Sequence, residues 1–380
     1  MMKLLTGYLV LDFSQFLSAP SASLRLADMG ARVIKVERPG VGDICRSLYV
    51  SETNIDGEST IFHAINRNKE SFEADIKSIE QLAKIKKLIA KADVLIHNFR
   101  PGVMERLGLS YEEIKKINPT LIYASISGYG EVGEWRGLPG QDLLLQAISG
   151  LTHLSGNRGA APIPMGVAVA DILAGTHLVQ GILTAIWERF ITNTGAYVSV
   201  SMLESLLDFQ FEVLTTYFND GNQLPERGQI NSAHAYIAAP YGIYKTMDSY
   251  IAIAMAPIPV LAVLLDCPPL SAYTDQQKWY SLRDEIKAIL KTHLLGKTTK
   301  EWLAMLESAD IWCAAVLDYD QLRQEEGYVA LDMEQVVKCG DKLVRTTRCP
   351  IRVDGELLKS PKGAPALGEH TDSIVIEFGL

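Results

Sequence analysis

The chain has 380 residues, 48% of them hydrophobic and 21% charged, an ordinary globular composition whose length suits two domains better than one. Its formal charge of −9 argues against a general nucleic-acid surface, which needs a basic face, but leaves room for an anionic small molecule held by a local cluster of cations. The five cysteines (Cys45, Cys267, Cys313, Cys339, Cys349) form no C-x-x-C pair, so reduced thiols are expected, with neither a disulfide framework nor a zinc site.

In chain order, Tyr8 to Phe13 reads as a short buried strand rather than a signal peptide, because no basic segment and cleavage site accompany it. A helix is expected over Ser21 to Met29, closed by Gly30, then a strand over Ala31 to Glu37 ended by Arg38-Pro39-Gly40. After a polar loop come a helix over Ile79 to Ala92, a strand at Val94 to His97, a helix at Tyr111 to Ile117 and a strand at Leu121 to Ser125. Strand and helix alternating at this spacing predict an α/β fold with a Rossmann-like parallel sheet. No G-x-G-x-x-G follows the first strand, where the turn reads Ser14-Gln15-Phe16-Leu17-Ser18-Ala19-Pro20, and no P-loop occurs, which disfavours dinucleotide and nucleotide-hydrolysing enzymes.

A long apolar helix is expected from Asp171 to Phe190, then a strand at Val198 to Met202 and a helix over Glu204 to Phe218. The polar stretch Asn219 to Ser232 reads as a linker. Beyond it, Tyr241 to Tyr244 and Tyr250 to Ala254 form a hairpin pattern, followed by amphipathic helices at Leu282 to Leu290 and Thr299 to Leu306. The expected domains are a large one, 1–218 completed by 325–380, and a smaller α+β one, 233–324. The tail holds a strand over Val344 to Val353 and then loop. The apolar run Ile251 to Leu265, broken by Pro257 and Pro259, is too short to cross a bilayer, and a cytoplasmic location is expected.

Several strings carry more specific information when taken in order. They include Leu26-Ala27-Asp28-Met29-Gly30-Ala31, Val36-Glu37-Arg38-Pro39-Gly40, Asn66-Arg67-Asn68-Lys69, Asn98-Phe99-Arg100-Pro101-Gly102, Glu105-Arg106-Leu107-Gly108, Gly140-Gln141-Asp142 and Ala170-Asp171-Ile172-Leu173-Ala174-Gly175. The set resembles the family III CoA-transferases, which share a fold with the α-methylacyl-CoA racemases, and the resemblance runs over nearly the whole chain. It implies an interlocked homodimer, acyl-CoA and carboxylic acid as substrates, and no permanently bound cofactor or metal; neither nucleic acid nor membrane is expected as a partner.

By itself Asp171 fits a helix N-cap, where backbone N–H groups favour the anion. The resemblance implies more: that Asp171 attacks acyl-CoA to give a mixed anhydride, then carries CoA as an aspartyl thioester. Asp142 alone fits a cap for a helix over Leu143 to Ile148; by resemblance it is an acidic helper lining the acyl site. Racemisation needs an acid and a base flanking an α-carbon. The racemases place a histidine where this chain has Gln141, so transfer is favoured over isomerisation, with CoA binding without turnover as a further alternative. For CoA the resemblance implies Arg38, Asn98, Phe99 and Arg106 at strand exits, and Lys69, Arg46 and Arg67 as weaker candidates. His177 is expected to be a core histidine and Cys313 structural. Some formyl-CoA transferases of the family carry a glutamine where this chain has Leu17, and a glycine run where Gly228 to Ser232 offers one glycine; both departures argue against a formyl or oxalyl substrate.

Overall fold

A computed structural model describes residues 4–48 and 52–380. Six strands form one sheet: β1 (Leu9–Asp12), β2 (Arg32–Glu37), β3 (Glu70–Glu73), β4 (Val94–His97), β5 (Ile122–Ser127) and β6 (Tyr197–Ser201). Their spatial order is β3-β2-β1-β4-β5-β6, and every neighbouring pair is parallel. The order reverses beside β1. Chains leaving β1 and β4 therefore diverge and open a crevice at the carboxyl ends of these strands, the place where such sheets bind ligands.

Sequence chemistry explains the layout. β1 and β4 are buried along their whole length, as apolar runs in a sheet covered on both faces must be. The helices α1 (Ser18–Asp28), α2 (Ile79–Ile89), α3 (Tyr111–Ile117), α4 (Asp142–Ile148), α5 (Val169–Thr192) and α6 (Met202–Phe209) surround it. Ser78 and Ser110 open α2 and α3 by accepting backbone N–H bonds at Gln81 and Glu113. Among the described residues, α5 is the helix long and apolar enough to cross a membrane by length and composition. Here its buried face packs on α1, β5, β6 and α6.

Three expectations need correction. β3 was expected to be polar loop, because Glu70-Ser71-Phe72-Glu73 has one apolar residue. It is a strand whose polar side chains find partners: Glu70 pairs with Arg32 at 2.9 Å and the Ser71 hydroxyl donates to Glu37 at 2.6 Å. The tail has no strand running from Val344 to Val353. Instead Glu334–Cys339 pairs antiparallel with Lys342–Thr347, and the expected terminal loop contains a helix, Thr371–Phe378, whose Ile374 enters the core under the sheet. The helix expected over Glu204 to Phe218 is two helices, α6 and Phe211–Asn219, separated at Gln210.

The chain divides into two compact units: 1–145 with 167–209 and 330–380, and 146–166 with 210–329. Relative to the expected large domain of 1–218, residues 146–166 and 210–218 thus go with the second unit. In that unit the residues expected as a linker are tied down, with Arg227 donating to the Ser155 carbonyl at 2.6 Å and Arg158 N–H to the Gly228 carbonyl at 2.8 Å. Its sheet has the order Gly242–Lys245, Tyr250–Ile253, Cys313–Ala315, all antiparallel, and includes the expected hairpin. Helices Ile258–Leu264, Arg283–His293 and Thr299–Glu307 close its core around Tyr244, Ile251, Ile286 and Trp302.

Candidate active site

The crevice at the sheet's switch point holds a cavity of about 580 Å³, lined by the turn after β1, the segments after β4 and β5, and the start of α5. Gln141, Asp142, Asp171, Asn98 and Phe99 all line it, so five of the ten candidate residues come together although they span 74 positions (171 − 98 = 73 steps) of sequence. Two glycine contacts build this convergence. A Cβ on Gly175 would lie 2.7 Å from the Ser18 carbonyl oxygen, so only glycine lets α5 approach α1 this closely. Asp171 stands one turn earlier on the same face of α5 and is carried to the first residue of α1. A Cβ on Gly140 would lie 2.5 Å from the Gly128 Cα, and this backbone contact brings Gln141 and Asp142 to the end of β5.

Asp171 is not the N-cap of its helix. That position is Ala168, with no side-chain cap, and Asp171 lies in the first turn. The capping is supplied from elsewhere: the Asp142 carboxylate accepts the Ala170 N–H at 2.7 Å. Asp142 thus fixes the start of α5 rather than serving its own helix through this bond. Burial pushes the Asp171 carboxyl up to about 6, the neighbouring Asp142 adds to the rise, and hydrogen bonds from the Ser18 hydroxyl and backbone N–H oppose it. The expected net stabilisation of the anion by the helix terminus is therefore outweighed by burial. Asp171 is still mostly ionised at neutral pH, but poorly solvated.

The cation candidates separate into two groups. Arg38 and Arg106 are exposed, after β2 and on the short helix Val103–Arg106 that follows β4, and neither lines the cavity. Lys69 is fully buried, donating to Asp12 at 3.1 Å, the Pro20 carbonyl at 3.0 Å and Asn66 at 2.8 Å. Its ammonium is engaged within the fold and Lys69 does not line the cavity, so the CoA-binding role expected for it does not fit. Arg46 is likewise paired with Glu37 and Glu58, each at 2.6 Å, and Arg67 with Asp28 at 2.9 Å. Of these, Lys69 ties the end of β1 to the start of α1 through Asp12 and the Pro20 carbonyl. Burial alone would raise the Asp12 carboxyl, yet Lys69 and Lys35 hold it at about 2. For Lys69 burial wins over Asp12 and lowers the ammonium to about 8.

Sequence reasoning missed Ser18, Arg100 and Arg136 on the cavity wall. Arg100 stands within a quoted motif and could have been found there; Ser18 and Arg136 had no comparable signal. His177 lies outside the cavity, its Nδ1 3.0 Å from the Ser205 hydroxyl. Cys45 lines the cavity, where burial pushes its thiol up to about 12 and so disfavours the nucleophilic thiolate. Among the described residues no group of three or more His, Cys, Asp or Glu is arranged to hold a metal.

Comparison with known proteins agrees with this architecture. The profile of the family described as CoA-transferase family III matches residues 5–371. The succinyl-CoA:glutarate CoA-transferase of Mus musculus is 31% identical over 385 residues, covering 99% of this chain and 86% of its own length. The acetyl-CoA:oxalate CoA-transferase of Acetobacter aceti is 32% identical over 382 residues, covering 98% and 95%. Among solved structures, a CaiB/BaiF family protein from Brucella suis superposes with a TM-score of 0.86 at 29% identity over 100% of both chains.

Proposed function

The chain belongs to CoA-transferase family III and is an acyl-CoA:carboxylate CoA-transferase, and from that premise we propose that Asp171 carries the transfer through a covalent aspartyl intermediate. The observation behind this reading is a carboxylate held at about 6 in a cavity, charged at neutral pH but stripped of much of its water. Such a group is a better nucleophile than a fully hydrated one. Its oxygen attacks the thioester carbonyl, the C–O bond forms, and the C–S bond breaks with the electron pair leaving on the CoA thiolate. The thiolate then attacks the aspartyl carbon of the anhydride, forming a thioester and expelling the donor acid as its carboxylate. The acceptor carboxylate displaces the thiolate to form a second anhydride, and the thiolate takes the acceptor acyl group, restoring Asp171.

These steps need only this chain's groups and the two substrates. Isomerisation is the weaker reading, since Gln141 beside Asp142 cannot take up a proton. Arg38, Phe99 and Arg106 are proposed to bind CoA, and Asn98 to shape that site through its bonds to Gln15 and Ser18, with Arg38→Ala and Arg106→Ala each costing about 1.5–3 kcal/mol of CoA affinity by calorimetry. The named relatives are a succinyl-CoA:glutarate and an acetyl-CoA:oxalate CoA-transferase, each with a dicarboxylic acid as acceptor in its name. Arg100 and Arg136, exposed on the cavity, are the cations suited to a second carboxylate, so a dicarboxylic acid is the proposed substrate class. The proposed setting is a cytoplasmic homodimer. Exposed apolar side chains, among them Trp187, Phe190 and Ile191 of α5, favour a second copy as their cover.

The test of the aspartyl route is chemical capture. Hydroxylamine should convert an acylated Asp171 to a hydroxamate, seen by mass on its peptide and only when acyl-CoA is present. Asp171→Asn should fold and lose several orders of magnitude in rate, roughly 4 kcal/mol or more. Near wild-type turnover by Asp171→Asn, with deamidation excluded by mass, would end the proposal.

A further inference from the structure

Ser18 is the first residue of α1, 3% exposed and on the cavity wall. The residue before it, Leu17, caps α1 with no side-chain bond, and Pro20 supplies no N–H, so the free donors of this terminus have no local acceptor. Gly175 seats the Ser18 backbone against α5, one turn from Asp171. Ser18 and Asp171 line the same cavity, and the Ser18 N–H and hydroxyl act on the Asp171 carboxylate in the sense that favours its anion. We propose that the Ser18 hydroxyl is a catalytic group, donating to the Asp171 oxygen on which charge gathers when the aspartyl carbon is attacked, and that Asn98 is the positioning residue that aims it. The inference rests on the aspartyl reading above and adds to it the donor that makes the aspartyl carbon attackable.

The aim of the hydroxyl follows from donor accounting. A serine hydroxyl has one hydrogen to give and two lone pairs to receive. Asn98 Nδ2 donates to Ser18 Oγ at 3.3 Å, which occupies a lone pair and leaves the hydrogen for Asp171. The amide cannot be reversed, because its Oδ1 accepts the Gln15 N–H at 2.9 Å while Nδ2 also donates to the Gln15 carbonyl at 2.7 Å. The rest of the turn is pinned by buried charges. Lys35 Nζ donates to the Ser14 carbonyl at 2.7 Å and Asp43 accepts the Phe16 N–H at 3.1 Å, holding Phe16 at a φ of 62° that a phenylalanine rarely adopts. These bonds hold the turn in one arrangement, with Ser18 and Asp171 on the same cavity wall.

Thiolate attack on the aspartyl carbon forms the C–S bond, moves an electron pair onto the carbonyl oxygen, and then expels the acid carboxylate as the C–O bond breaks. Two donors fixed beside that oxygen act as an oxyanion hole, with no reorganisation at the moment of attack. In the resting enzyme the same donors favour the Asp171 anion, against Asp142; Cys45, Arg100 and Arg136 are the other titratable or charged groups on the cavity.

The experiment compares Ser18→Ala, Ser18→Thr and wild type in the full-length protein with an acyl-CoA donor and a dicarboxylate acceptor. Ser18→Ala should lower kcat roughly a hundredfold with KM for the donor nearly unchanged. The acid limb of its kcat/KM profile should move to higher pH, because a donor favouring the anion is gone. Ser18→Thr, which keeps the hydroxyl, should recover most of the rate. Should Ser18→Ala not fold, Ser18→Cys supplies a near-isosteric, weaker donor for the same readouts. Wild-type kcat and an unmoved acid limb in the alanine variant would overturn the assignment, as would a loss confined to KM. Hydroxylamine capture separates this failure from that of its premise: absence of capture in wild type sinks the aspartyl reading, whereas equal capture rates in wild type and Ser18→Ala sink Ser18 alone.

Discussion

Burying Asp171 beside Asp142 raises its carboxyl from the ordinary 3.8 to about 6, and that shift has a definite sign for stability. The unfolded chain releases the proton at 3.8 while the folded protein keeps it until about 6, so the folded state binds more protons between these values. Stability therefore falls as pH rises through this window and stays lower above it. Asp171→Asn removes the penalty. Its stability relative to wild type should climb between pH 4 and 6 by about 1–3 kcal/mol, then level off, in urea titrations at a series of pH values. A difference that does not vary with pH would contradict the burial argument. Wild-type kcat/KM should fall as pH drops through about 6, when the nucleophile is protonated. Lys69 makes the opposite case: a residue that looks like a ligand cation and works inside the fold. Lys69→Met leaves Asp12 buried with less compensation, so unfolding free energy should drop by about 3 kcal/mol. CoA affinity of the folded fraction, measured by titration, should change little; a selective loss of affinity without loss of stability would restore Lys69 to the site.

Along α5, two glycines face different neighbours and allow packing to be separated from chemistry. At Gly175 a Cβ would meet the Ser21 hydroxyl oxygen and the Ser18 carbonyl, both in α1. At Gly181 it would lie 2.5 Å from a methyl of Val198 in β6. Each Gly→Ala change overpacks a tight contact and should cost about 1–3 kcal/mol of stability. Only Gly175→Ala moves α1 away from Asp171, so kcat should collapse in that variant and remain close to wild type in Gly181→Ala. Thermal unfolding paired with steady-state kinetics on both variants makes the comparison. Equal kcat in the two would mean that the α1 contact does not set the geometry of Asp171.

For the whole molecule, the exposed apolar side chains of α5 argue for association. Trp187, Phe190 and Ile191 are 66%, 83% and 69% exposed, a cost no other element of the described chain offsets. Light scattering on the purified protein should return twice the chain mass. A monomer at micromolar concentration would remove the proposed dimer.

What the sequence by itself determined follows periodicity and motif order. The apolar runs at Leu9–Asp12 and Val94–His97, the amphipathic helix Ile79–Ile89 and the aspartate of Ala170-Asp171-Ile172 were all legible, because local hydrophobic pattern decides strand from helix and the ordered motifs identify the family. Tertiary structure alone decided three other things. Glu70–Glu73 became a strand only because Arg32 and Glu37 satisfy its polar side chains. Lys69, Arg46 and Arg67 became interior ions because partners distant in sequence neutralise them, which charge count cannot reveal. Ser18 entered the site because Gly175 removes the side chain that would have kept two helices apart, a matter of contact between residues 157 positions away from each other (175 − 18). A sequence carries its local periodicities openly; which buried charge meets which, and how closely two helices touch, exist only once the chain has closed on itself.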